Sequence, residues 1–370
     1  MAIAFVGSPK PTLGVEWELA LVDRRSRDLR NDAARLIEAV RREHPAQSAR
    51  VHEELLRNTV EIVTGVCDDV GEAMRDLHGG LAAVRAQSEP MGIDLISSGT
   101  HPFARWDAQQ LTGGDRYREL IDRTQWWGRQ MLIWGVHVHV GVSSPHKVFP
   151  IIGALLLQYP HLLALSASSP IWSGHDTGYA STRAMMFQQL PTAGLPFHFD
   201  DWAGYESFVH DQLTTGVIDR ISEIRWDIRP APHLGTIEVR VCDGVPTFAE
   251  LEAIVALVQC LVVDLDRRLT AGETLPVLPP WHVQENKWRA ARYGLDAEVI
   301  VGADNSERPV TDDLDDILTR LQPLAAELGC AGELAAVADI PVRGASYQRQ
   351  RRIEEESGGD LRAVVDALVR

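Results

Sequence analysis

Lysine is nearly missing from this chain: Lys10, Lys147 and Lys287 are the only three in 370 residues. Positive charge is therefore almost all arginine, which suits bidentate contacts to carboxylate or phosphate, although a GC-rich genome produces the same bias. The net charge is -16 and no Lys/Arg-rich run offsets it, which argues against nucleic acid and anionic lipid as partners. Cysteine is scarce too. Cys67, Cys242, Cys260 and Cys330 form no CxxC or other zinc spacing, and a disulfide framework is not expected in so large a chain. Long apolar runs are missing: residues 151–157 are too few to span a bilayer and stop at Tyr159-Pro160. The opening segment lacks a basic n-region and a long h-region, so the expected location is the cytoplasm. No Gly-x-x-x-x-Gly-Lys-[Ser/Thr], Gly-x-Gly-x-x-Gly or Gly-x-Ser-x-Gly occurs, which excludes a P-loop. Nucleotide binding would have to work through metal-bridged phosphates.

What is present is an ordinary globular composition, 45% hydrophobic and 24% charged, with enough chain for an ample core. No internal repeat interrupts it. Period-2 patterns predict strands over 12–22, 60–63, 93–97, 136–142 and 236–242, with extended chain at 220–229. Helical periodicity covers 32–43, 69–90, 115–128, 146–166 with an interruption at Pro160, 202–213 and 247–270. Residues 173–196 read as a long polar segment, of the length that is usually functional or disordered. Residues 274–280 resemble a linker, and the chain from about 285 is mostly helical. The strands alternate apolar and polar residues, which predicts a largely antiparallel sheet with one wet face and an α+β layer fold. A single domain over residues 1–370 is expected.

Three strands carry paired polar groups at i, i+2. In Gly235-Thr-Ile-Glu-Val-Arg-Val-Cys-Asp-Gly244, Glu238, Arg240 and Cys242 alternate with Ile237, Val239 and Val241. A carboxylate and a guanidinium then stand about 7 Å apart on one face. Gly14-Val-Glu-Trp-Glu-Leu19 presents Glu16 and Glu18 in the same way, and Val136-His-Val-His-Val140 presents His137 and His139. Carboxylates so placed suit hard cations; a solvent-facing strand edge gives the same pattern. Glu61 sits inside an apolar strand, between Val60 and Ile62. Glu54 precedes it by seven residues, so a bulge or bend must intervene if both converge. Arg225, Asp227 and Arg229 alternate beside this set, as a site or as a salt-bridged strand face. Asn286, Arg289 and Arg292 form a helical stripe that fits a solvated face equally well. His137 and His139 alone would also suit a zinc hydrolase, given further ligands.

Taken in order, Gly14-Val-Glu-Trp-Glu18, Glu54-x6-Glu61, Gly135-Val-His-Val-His139, Trp226-Asp-Ile-Arg-Pro230 and Gly235-Thr-Ile-Glu-Val-Arg240 closely resemble the glutamate–cysteine ligase type 2 family of bacterial carboxylate–amine ligases. Leu190-Pro-Thr-Ala-Gly-Leu-Pro196 and Glu285-Asn-Lys-Trp-Arg-Ala-Ala-Arg-Tyr-Gly294 are also similar to it. The resemblance spans roughly residues 10–350. It implies a catalytic fold like that of glutamine synthetase and the guanidino kinases, a curved antiparallel sheet with helices on its outer face. It implies ATP and Mg²⁺ (or Mn²⁺) as cofactors, with Glu16, Glu18, Glu54, Glu61, His137 and Glu238 at metal-ligand positions. Arg240 matches an arginine on the transferred phosphoryl group, which with Glu238 makes the catalytic pair, and Arg229 matches a phosphate or substrate contact. The implied reaction joins a carboxylate, glutamate first, to an amine such as cysteine through an acyl phosphate, with glutamate plus cysteine as one weak activity. A homo-oligomer is compatible with it. A guanidino-kinase-like phosphotransferase and a non-catalytic binding protein on the same scaffold are the alternatives.

Overall fold

The structure is a computed structural model that describes residues 2–369. Seven strands form one sheet: β1 (Leu13–Asp23), β2 (Val51–Glu53), β3 (Thr59–Val63), β4 (Ile93–Ile96), β5 (Gly135–Gly141), β6 (Ile228–Ala231) and β7 (Thr236–Asp243). The order is β6-β7-β5-β1-β3-β2, with β4 beside the far end of β1, and every pairing is antiparallel. The alternation in the strands therefore has the meaning expected of it. Val15, Trp17, Leu19 and Leu21 of β1 are buried on one face. There they join one continuous core with the helices Val70–Ser88, Pro145–Leu155, Tyr159–Ser166 and Phe248–Thr270. On the other face of β1, Ala20 and Val22 enter a smaller cluster with Ile96, Trp134, Val365 and Leu368. That leaves Glu16 and Glu18, at the near end of the same face, to line a cavity.

Helix boundaries follow local chemistry. Thr247 accepts from the Glu250 N–H and caps the 23-residue Phe248–Thr270 helix. The predicted 146–166 helix is two helices, broken at 156–158; Pro160 falls in the first turn of the second, where its missing N–H costs nothing. The 115–128 helix stops at Thr124, because Gln125 adopts φ +50°. The polar 173–196 segment contains a short helix, Thr182–Phe187, capped by Ser181. The expected linker is irregular chain as far as Pro279, and the helix after it starts at Pro280, five residues before the predicted onset. Among the described residues no single helix is long and apolar enough to cross a membrane.

Candidate functional site

Register across the sheet brings the polar pairs together. Glu16 of β1 stands opposite His137 of β5, and Glu18 stands opposite Glu61 of β3. Glu238 of β7 stands opposite His139 on one side and Arg229 of β6 on the other. Glu54 lies just past β2, and a turn over residues 55–58 folds it back toward Glu61. This turn is the bend that the spacing of the two glutamates required. All six predicted ligand carboxylates and imidazoles are thus on one face or its rim. Ligand atoms of Glu16, His137 and Glu238 lie within 4.8 Å of one another, and so do those of Glu18, Glu61 and His137. His137 is common to both groups.

Hydrogen bonds fix the set. Glu16 reaches Nδ1 of His137 at 2.8 Å and Nε2 of His139 at 3.2 Å. Nδ1 of His139 is taken by Thr236 Oγ1 at 3.0 Å. Both nitrogens of His139 are therefore engaged, which leaves no free imidazole pair for a His-x-His zinc centre. Glu18 accepts from the Gly135 N–H at 2.5 Å. Glu238 is 1% exposed, accepts from Arg229 Nε at 2.6 Å and pairs with Arg240. It was expected on a wet strand face; the two arginines instead enclose it.

The charges are unevenly balanced. Burial alone would raise Glu16, but hydrogen bonds from His137 and His139 hold its carboxyl well below the usual range. Burial would also raise Glu238, and Arg229 and Arg240 overcome it. At the other end, burial and then the Glu54 charge push Glu18 up to about 7, against Arg183 and the Gly135 N–H. Glu61 rises well above its ordinary value from burial and from Glu54, Glu16 and Glu18. Burial and the neighbouring Arg240 lower His137 to about 4, so its imidazole is neutral and free to ligate. At the Glu18–Glu54–Glu61 end burial and mutual repulsion thus disfavour the charged carboxylates, a cost that a bound cation would relieve.

A β-bulge places Arg240. The β7–β5 register slips between Val239 and Cys242, so two residues face one. The strict alternation assumed from the sequence fails here. Cys242 falls opposite Val136 and joins the apolar core instead of sharing the wet face with Glu238 and Arg240. Arg240 sends Nη1 to Glu238 and to within 3.4 Å of His137 Nδ1. Its Nε has no partner among the described residues. Asp227 was expected to share a face with Arg225 and Arg229. It sits at a bend instead, and its carboxylate turns inward to Lys287 at 2.7 Å and Tyr159 at 3.0 Å. Its backbone oxygen accepts the Arg240 N–H at 2.8 Å.

The cavity over this face measures about 320 Å³ and is lined by the four glutamates Glu16, Glu18, Glu54 and Glu61 with His137, Arg225, Arg229 and Arg240. Phe187, Leu190 and Met131 form part of its apolar wall. A second cavity of about 480 Å³ continues past Glu16, His139, Arg229 and Glu238 to Ile3, Pro230, Pro232 and Leu234. The Asn286–Arg289–Arg292 stripe lies outside both. Asn286 brackets Ile300 with two backbone hydrogen bonds of 2.8 Å, Arg289 pairs with Glu285 and Glu307, and Arg292 bonds the Gly178 carbonyl. Lys287 was missed as a contributor to this region. Its spacing from buried Val283, Ala290 and Ala291 puts a lysine on an apolar stripe, the one signal that could have found it.

A model of the glutamate–cysteine ligase family 2 matches residues 12–367. A protein of Mycobacterium sp. (strain KMS), provisionally named a glutamate–cysteine ligase 2-1, is 68% identical over 367 residues, 99% of this chain and 96% of its own length. A Mycobacterium tuberculosis protein (strain ATCC 25177 / H37Ra), provisionally named a glutamate–cysteine ligase 2, is 67% identical, with 99% and 96% covered. Among solved structures, the glutamate–cysteine ligase of Francisella tularensis in complex with AMP aligns with a TM-score of 0.71 at 12% identity, covering 98% of this chain and 88% of that one. A bifunctional glutathione synthetase of Pasteurella multocida aligns at 0.69 and 15%, covering 97% and 52%. Both likenesses are of fold.

Proposed function

The chain belongs to glutamate–cysteine ligase family 2, and from that membership and the site geometry we propose an ATP-dependent carboxylate–amine ligase with glutamate and cysteine as the first substrate pair to test. The observation that carries the reading is the pair of ligand triads meeting at His137, with Arg240 3.4 Å from the same ring. A hydrolase with one metal needs no second acidic triad, and a surface strand would not bury Glu238 between two arginines.

The donor set fits hard divalent cations: oxygens dominate, and the crowded carboxylates repel one another. Glu16, His137 and Glu238 would hold one ion; Glu18, Glu61 and His137, with Glu54 beside them, would hold another. Bound there, Mg²⁺ or Mn²⁺ would supply positive charge to offset that of the phosphates. The chain's own residues do the rest. Glu238 orients the guanidinium of Arg240, which lines the cavity and so can meet the transferred phosphoryl group. Arg229 holds the outer side of Glu238 and anchors to the Ile224 carbonyl at 2.6 Å. A substrate carboxylate attacks the γ-phosphorus, the bond to ADP breaks, and an acyl phosphate forms. Amine attack on its carbonyl carbon then expels phosphate, and loss of the amine proton leaves the amide. Phe187, Leu190 and Met131 give the amine an apolar wall beside the charged groups.

The test is ADP release across a panel of amino acids and amines with Mg²⁺, with mass detection of the product. The expected result is amine-stimulated ADP release and an amide mass. A phosphorylated guanidine would favour phosphotransfer, and ATP binding without turnover on any pair would favour a binding protein.

A further inference from the structure

We infer that Arg183 is a positioning residue for this reaction, holding Arg240 through the backbone of the β7 bulge; the inference rests on the ligase reading above. Ser181 Oγ accepts from the Ala184 N–H at 3.2 Å and starts the Thr182–Phe187 helix. The helix turns Arg183 into the protein, where it is 4% exposed. Nη1 donates to the Val241 carbonyl and Nη2 to the Arg240 carbonyl, each at 3.3 Å. These are the two residues within the register slip. A bulge disrupts the ladder locally, and a planar fork reaches two successive carbonyls from two nitrogens held in a fixed geometry, which the single nitrogen of an ammonium does not reproduce.

The charge of Arg183 acts on Glu18 from a distance, but among the described residues no tight ion pair accounts for this buried guanidinium. The nearest carboxylate contact is Asp243 Oδ1 at 3.9 Å. That side chain already accepts from the Ser168 N–H and the Ser169 and Ser181 hydroxyls. Nε of Arg183 has no partner among the described residues. Burying a cation with so little compensation is costly, and an apolar side chain would fill the same space. The arginine therefore has to be explained by what it holds. It is not part of the cavity wall. Phe187 lines that wall and packs 5.9 Å from the guanidinium carbons of both Arg183 and Arg240. Arg183 thus acts through Arg240 and touches no substrate. Gly135 completes the stack. A methyl group there would lie 2.2 Å from Nη2 of Arg183, and the Gly135 N–H is the one that Glu18 accepts. The same guanidinium packs beneath both the arginine and the backbone donor of Glu18.

The experiment is a double-mutant cycle of Arg183→Lys with Arg240→Lys, read in kcat for ADP release and in MgATP affinity by calorimetry. Arg183→Lys should lower kcat by about 10- to 100-fold with affinity within about threefold, a loss made only in the transition state. In the double variant the loss should be no larger than for Arg240→Lys alone, because both changes remove one function. Losses that multiply would overturn the inference. Arg183→Gln repeats the cycle without burying an ammonium, should the Lys variant fold poorly. Crystals of either variant give a readout independent of turnover: the Arg240 guanidinium should have left Glu238. If it remains there, the inference fails whatever the kinetics show, whereas unmutated protein that releases no ADP counts against the ligase reading alone.

Discussion

Glu18 on β1 and Glu61 on β3 face each other directly across the sheet, two carboxylates in register at one end of the cavity. With Glu54 near both, burial and mutual repulsion raise them, Glu18 to about 7. Such a cluster destabilises the metal-free protein and stabilises any cation-bound form. We predict that Mg²⁺ or Mn²⁺ raises Tm by a few degrees, since a ligand at 100 times its Kd adds about 2.7 kcal/mol. Glu61→Gln removes the carboxyl that burial and its acidic neighbours strain most in the absence of a cation. In EDTA it should be at least as stable as the parent, and its Mg²⁺-induced shift should shrink. Melts with and without Mg²⁺ check this; a shift equal to the parent's takes Glu61 out of the ligand set. ADP release should also stop in EDTA, and full activity in metal-free buffer would remove the basis of the metal assignment.

Glu238 is placed for two tasks, and one substitution removes the charge that both would need. It belongs to the Glu16–His137–Glu238 triad and is the shared counter-ion of Arg229 and Arg240. Glu238→Gln keeps the shape but removes the charge. Turnover should fall at least ~10²-fold, the scale of losing a major electrostatic stabiliser. Because the residue is buried between two guanidiniums, stability should fall as well, by about 1–3 kcal/mol. Urea denaturation and ADP release measure the two effects. Normal turnover in Glu238→Gln would reduce this face to a salt-bridged strand.

The sheet and its polar face were legible because each depends on a short-range pattern. Alternation at Val15, Glu16, Trp17 and Glu18 fixes which side chains share a face of β1, and the antiparallel register then makes neighbours of residues 121 positions apart, as with Glu16 and His137. Glu54 and Glu61 were legible as a condition, and the 55–58 turn meets it. What was not legible is where periodicity breaks. The β7 bulge moves Cys242 to the core, and the bend at Asp227 turns a carboxylate away from Arg229. Both depend on partners far along the chain: Arg183 for the bulge and Lys287 for the bend. The polar 173–196 segment gave no sign that it would carry Arg183 and Phe187 to the underside of the site.

Arg240→Lys tests what the guanidinium does. The lysine ammonium is a point charge and cannot replace the fork. MgATP affinity should stay within a few-fold, because the ligand triads supply most of the ground-state phosphate binding. The turnover number should fall by about 10²-fold, since charge moving onto the phosphoryl oxygens loses its planar partner. Calorimetry gives the affinity and ADP release the rate. If affinity collapses while kcat holds, Arg240 is a ground-state anchor and the phosphoryl-transfer role assigned to it is wrong.

Lys287 and Asp227 form a buried ion pair, with 4% and 6% of their side chains exposed, and the Tyr159 hydroxyl donates to the same carboxylate oxygen. Removing one member of such a pair leaves the other charged in the interior, which costs about 3–5 kcal/mol; removing both charges together costs far less. Lys287→Met should therefore lower Tm sharply, and Asp227→Asn with Lys287→Met should recover most of the loss. Catalysis should not follow stability. The Asp227 backbone accepts the Arg240 N–H, and its side chain is what pins that backbone at the bend. The double variant should fold near parental stability yet keep a reduced kcat, with ATP affinity little changed. Thermal melts and ADP release on the same preparations decide the matter. If kcat recovers together with Tm, the pair only stabilises the fold and does not position Arg240.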